Sequence, residues 1–154
     1  MKRALSSGVI GAGAVTILNH MGKRFLPHAP RLDVLGMRLF SKLFNKANIA
    51  PPKGKALFGL SLIGEMISNS AFYGLIGMGN PKNAWVRGGL LGLAAGVGAT
   101  ALPEPMNLGK RPTARRKSTV VVTIAWYVLG GLLAALAYRK MRPSQPRLAA
   151  PRAT

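Results

Sequence analysis

The strongest constraint on this fold lies between Ala56 and Gly79, where ALFGLSLIGEMISNSAFYGLIGMG is mostly apolar around one carboxylate, Glu65. As a helix rising about 1.5 Å per residue it reaches roughly 36 Å, enough to cross a hydrocarbon layer of about 30 Å with some tilt. Its aliphatic and aromatic side chains favour insertion by about 0.3–0.6 kcal/mol each, whereas a central acid opposes it by about 3 kcal/mol. The two nearly cancel, so Glu65 is expected to turn toward other helices, and an acid at that depth is a functional-site candidate by default. Ser61, Ser68 and Asn69 stand three or four residues from Glu65, on one helical stripe that must face protein or a wet cavity.

Composition agrees with lipid surroundings. The 154 residues are 49% hydrophobic and only 16% charged, against about a quarter charged in ordinary soluble chains. Lys and Arg number 22 against three acids, Asp33, Glu65 and Glu104, for a net charge of +19. These bases are spaced between apolar runs and do not form one stripe, which fits anionic lipid headgroups rather than nucleic acid. No nucleic-acid partner is therefore expected. The chain has no cysteine, which removes disulfides, thiolate catalysis and cysteine metal sites.

Taken in order, the chain reads as an all-α membrane domain over residues 1–140 followed by a disordered basic tail, 141–154. A first span over 4–21 is near the short limit, and its Gly8 and Gly11 with neighbouring Ser7, Ala12 and Ala14 make a small-residue face suited to close helix packing. It starts Met1-Lys2-Arg3 but lacks a small-x-small cleavage site, so it is expected to be retained rather than removed as a signal. Thr16 and His20 are one turn apart; His20 reads as an interfacial histidine, with a relay or ligand role as the alternative.

An amphipathic helix is expected over 31–49, bounded by Pro27, Pro30 and Pro51-Pro52. Its apolar face would sink into the interface, or alternatively pack on the bundle. Arg31, Arg38, Lys42 and Lys46 would meet headgroups. Asp33 in its first turn suits the helix dipole.

The Glu65 helix ends at Asn80-Pro81, and with the third span, 84–102, it is expected to form an antiparallel hairpin. That third span carries Gly88, Gly92 and Gly96, a doubled GxxxG register that marks a close crossing without revealing the partner. Arg87 would snorkel to headgroups. Ser118 is the expected N-cap of a fourth span, 119–138. Trp126 and Tyr127 fall at its midpoint, although aromatic residues with polar tips usually sit at the membrane surface. Tyr127 is expected to donate to Glu65 or its neighbours, with core packing as the alternative. Lys and Arg are biased thirteen to nine toward the side of the amphipathic helix, which places that side in the cytoplasm.

No nucleotide loop, metal-spaced ligand set or nucleophile with a nearby base is present in the sequence, so neither an enzyme nor a cofactor is expected. Two functions remain. The first is a structural or assembly subunit, packing through its glycine faces into a homo-oligomer or a larger membrane complex. The second is a small homo-oligomeric transporter or channel using Glu65 for a proton or cation. A lone acid at mid-depth in four helices is similar in logic to the small multidrug transporters. There the acid is on the first helix and here on the second, so the likeness is architectural and carries no residues over. The expected setting is a multi-pass position in a bacterial inner membrane, or an organelle inner membrane.

Overall fold

A computed structural model describes residues 2–108 and 112–141, and among them the chain is all-helical with no strand. Five helices follow one another: α1 (Lys2–Phe25), α2 (Leu32–Lys46), α3 (Gly54–Gly74), α4 (Ala84–Ala101) and α5 (Lys117–Lys140). Short 3-10 turns, Leu75–Gly77 and Pro81–Asn83, lie between α3 and α4. The expected basic tail lies, from residue 142, outside the described residues, as do Lys110 and Arg111 of the second connector.

α1 is the central helix. It packs against α3 on one side and α5 on the other, and α4 packs on α5. Contacts between α1 and α3 run in opposite chain order: Gly8 meets Gly74 and Ser70, Thr16 meets Met66, and His20 meets Phe58. The same reversal relates α1 to α5, where Gly11 meets Gly130 and Ala134 while Gly22 meets Trp126. α4 is likewise antiparallel to α5, with Gly88 against Gly131 and Ala135, Gly92 against Tyr127, and Gly96 against Ile124. The four long helices therefore alternate in direction along the chain. α3 and α4 do run antiparallel, but they pack mainly on α1 and α5 rather than on each other, because the small-residue faces that allow backbones to approach are turned that way. Arg87 Nε and Nη2 instead tie the connector to α4, donating to the Ile76 carbonyl at 3.1 and 2.9 Å.

The interior combines small and polar residues with a few larger ones, Val15, Leu32, Tyr73, Ile76 and Tyr127 among them. Ser7, Ala12, Asn19, Ser61, Ser70, Thr100, Thr119, Thr123, Ala134 and Ala135 are buried. Several of these hydroxyls donate to backbone carbonyls: Ser7 to Ala4, Ser61 to Phe58, Thr100 to Gly96 and Val97, Thr119 to His28, and Thr123 to Thr119 and Thr113. Tyr73, fully buried, crosses from α3 to donate to the Tyr127 carbonyl of α5 at 2.7 Å. Large apolar side chains point outward on every long helix, with Ile17 of α1, Ile67 of α3, Leu90 of α4 and Val121 of α5 each 59–65% exposed.

Two helices, α1 and α5, are long and apolar enough to cross a membrane. The four expected spans are thus reduced to two by that measure. α3 is shortened to twenty-one residues by the turn at Leu75 and carries Lys55, Glu65 and Asn69, while α4 has only eighteen residues including Arg87. α1 and α5 are both longer than expected, at twenty-four residues each. Ser118 is not the cap of α5: the helix starts one residue before it, at Lys117, with Arg116 as an N-cap that makes no side-chain hydrogen bond.

α2 does not lie away from the bundle. It packs on α3, where Gly64 admits the ring of Phe40 and Gly36 comes close to Ser61. An apolar helix face gains from burial against either lipid or protein, and the two glycines let protein win here.

Candidate functional site

The stripe read from α3 becomes one wall of a cavity of about 330 Å³. Ser61, Glu65, Ser68 and Asn69 line it from α3, Tyr127 from α5, and the apolar face of α2, including Leu35, Leu39 and Phe40, closes the other side. Helical spacing puts the four α3 residues on one face. Small residues hold the walls together: an added Cβ at Gly36 would stand 3.3 Å from the Ser61 Cβ.

Within this chamber Glu65 Oε1 is buried and has no hydrogen-bond partner among the described residues. Buried polar atoms are nearly always paired, so an orphaned acid oxygen facing one cavity marks it as a place where a further group is accommodated. Tyr127 is buried in the chamber wall, its hydroxyl paired with the Asn69 amide rather than donating to Glu65. Ser68 is spent locally, donating to the Glu65 backbone carbonyl at 3.2 Å.

Glu65 is less isolated than a lone acid. His20 and Lys23 at the end of α1, and Asp33 at the start of α2, are its ionisable neighbours. Lys23 Nζ is paired with Asp33 Oδ1 at 2.9 Å, which pins the start of α2 to α1 and neutralises both charges locally. His20 Nδ1 lies 2.9 Å from the Thr16 carbonyl, and its ring meets Phe58 edge-on with centroids 6.3 Å apart.

Other expected site residues are distributed differently. Trp126 is buried but packs on Gly22 of α1 rather than joining the Glu65 chamber, because successive residues of a helix face different directions. Gly88, Gly92 and Gly96 are taken up by α5 of the same chain, and Gly8 and Gly11 by α3 and α5. Of the four bases assigned to headgroups, Arg38 donates to the Leu108 carbonyl at 3.0 Å and Lys42 to that of Met106. Both therefore hold the second connector against α2. Arg31 and Lys46 stay exposed.

Three features escaped the sequence reading. Asn19 on α1 is 1% exposed with Oδ1 unpartnered, and an amide in an otherwise apolar helix was the available signal. Lys23 was counted only as a loop base, and the Tyr73 crossing bond had no local signature. Among the described residues no group of three or more His, Asp or Glu gathers as a metal site. Comparison with family models, characterised proteins and solved structures finds no match.

Proposed function

We propose that the chain is a multi-pass membrane protein with α1, α3, α4 and α5 as its spans, and that the Glu65 chamber takes up a proton or small cation inside the bilayer. The membrane reading is supported by the packing, with small and polar residues among those inside and Ile17, Ile67, Leu90 and Val121 outside on four successive helices. The observation that carries the chamber's role is the orphaned acid oxygen, Glu65 Oε1, in a cavity walled by α2. An intramembrane acid that is neither ion-paired nor hydrogen-bonded through that oxygen is free to exchange a proton or accept a cation. Among the described helices that line the chamber, α2 is the one not proposed to span.

The test is Glu65→Gln, which keeps the shape and removes the charge. Reconstituted wild type should dissipate an imposed pH gradient, read with an entrapped pH-sensitive dye, and the variant should not. Equal rates in the two preparations would end this reading.

The structural-subunit reading is favoured by a separate observation, the width of the outer apolar faces of α3 and α4, where Ile63, Ile67, Val86, Leu90, Leu93 and Val97 are all exposed. With the glycine register occupied by α5, these faces are what a second copy or a larger complex would bind. Native mass spectrometry from mild detergent would then show a stoichiometry above one that persists in the Gln variant. A bacterial inner membrane with anionic lipid remains the proposed setting.

A further inference from the structure

A second cavity, about 750 Å³, opens where α1 ends, α2 begins and α5 begins. His28, Arg31, Arg38, Arg115 and Arg116 line it together with a single acid, Glu104. The four guanidiniums come from two distant parts of the chain, Arg31 and Arg38 from one and Arg115 and Arg116 from the other. Their backbone supports are fixed: the Arg31 N–H donates to the Pro112 carbonyl at 3.2 Å, and the fully buried Thr119 donates through Oγ1 to the His28 carbonyl at 3.0 Å. Pro30 between them is fully buried. Arg38 is engaged with Leu108, leaving Arg31, Arg115 and Arg116 as the exposed cations of the cleft.

From this geometry we propose that the cleft is a binding site for the phosphate of an anionic phospholipid, and that the proposal stands independently of the Glu65 chamber. Guanidinium forks match phosphate oxygens bidentately and are weakly hydrated, which suits a site at the edge of lipid. The occupant is a lipid rather than a free anion because large apolar groups adjoin the cleft. Phe25 and Leu26, immediately before its Pro27 wall, are 71% and 42% exposed, and Val34 lines the cleft itself. A headgroup in the cleft would thus leave its acyl chains on exposed apolar surface at the end of α1.

The experiment measures binding of phosphatidylglycerol and of phosphatidylcholine with the same acyl chains to the whole protein in nanodiscs and by native mass spectrometry. Each of the two exposed arginines near an anionic surface is worth roughly a fivefold change, so Arg115→Gln with Arg116→Gln should weaken phosphatidylglycerol binding about thirtyfold. Lys82→Gln with Lys2→Gln, which removes the same charge from the opposite end of the helices, should change it less than threefold. On the unmodified protein, amide hydrogen exchange at 26–31 and 112–117 should slow with phosphatidylglycerol and not with phosphatidylcholine, a readout that survives a variant that fails to fold. Equal losses in the two double variants would overturn the proposal in favour of diffuse charge attraction. Inorganic phosphate giving the same protection at matched occupancy would overturn the assignment to lipid. Absence of any headgroup preference in the unmodified protein would overturn it outright.

Discussion

Gly92→Ala is a sharp perturbation of the packing between α4 and α5. A Cβ at Gly92 would stand 2.5 Å from both Tyr127 O and Val128 Cα, where ordinary contact begins at 3.4 Å. Both obstacles are backbone atoms, which cannot swing aside, so the helix axes must part by about 1 Å around Gly92, by the usual tolerance of packed interiors. A gap of that size forfeits a quarter to a half of each contact's dispersion energy, and overpacking of this kind costs about 1–3 kcal/mol. The control is Gly13→Ala, at a helix position where an added Cβ meets nothing within 4 Å. There the better helix propensity of alanine should stabilise by up to about 1 kcal/mol. The assay is reversible unfolding in mixed micelles, followed by circular dichroism, for both variants beside the parent. The reasoning predicts opposite signs: Gly92→Ala lowers stability and Gly13→Ala leaves it level or raises it. Equal effects would refute the claim that Gly92 is a point of backbone contact between α4 and α5.

Further variants probe other joints. Tyr73→Phe removes the bond to the Tyr127 carbonyl and should cost about 0.6–1.5 kcal/mol in the same unfolding assay, since interhelical hydrogen bonds in membranes are modest. Phe40→Ala empties the ring's place over Gly64, and hydrogen exchange across α2 should accelerate by about tenfold or more while α1 and α5 stay protected. Arg87→Met removes two donors from the Ile76 carbonyl, so amides at 75–79 should exchange faster and stability should fall by about 1–2 kcal/mol. Asp33→Asn breaks the partly exposed pair with Lys23, and a loss near 1 kcal/mol, reduced by salt, is expected.

The polar stripe on α3 was legible because helical periodicity alone fixes which residues share a face, and Ser61, Glu65, Ser68 and Asn69 do line one cavity. Tyr127 joined them for a related reason, its matching position along an antiparallel bundle. What covers the stripe was not legible. An amphipathic helix presents the same pattern to lipid and to protein, and only the three-dimensional fit of Phe40 over Gly64 decides between them. The glycine register predicted a close crossing correctly in kind but not in partner, because GxxxG specifies a flat surface and says nothing of what meets it. Arg31 reads from the sequence as a headgroup contact of the amphipathic helix, and its convergence with Arg115 and Arg116 depends on a backbone bond from residue 31 to residue 112.

On the proposed membrane reading, lipid surrounds all four long helices while the polar groups face inward. The chain has no cysteine, so single-cysteine nitroxide labels placed in liposomes report one site each. Labels at Ile67 of α3 and Leu90 of α4 test it most directly, since these two helices fall outside the pair that length and apolarity alone nominate as spans. Fast relaxation by oxygen with slow relaxation by a water-soluble nickel complex at both positions is the predicted result, matching a label at Val121 of α5. Ready relaxation by nickel at 67 or 90 would put that helix in water and contradict the account.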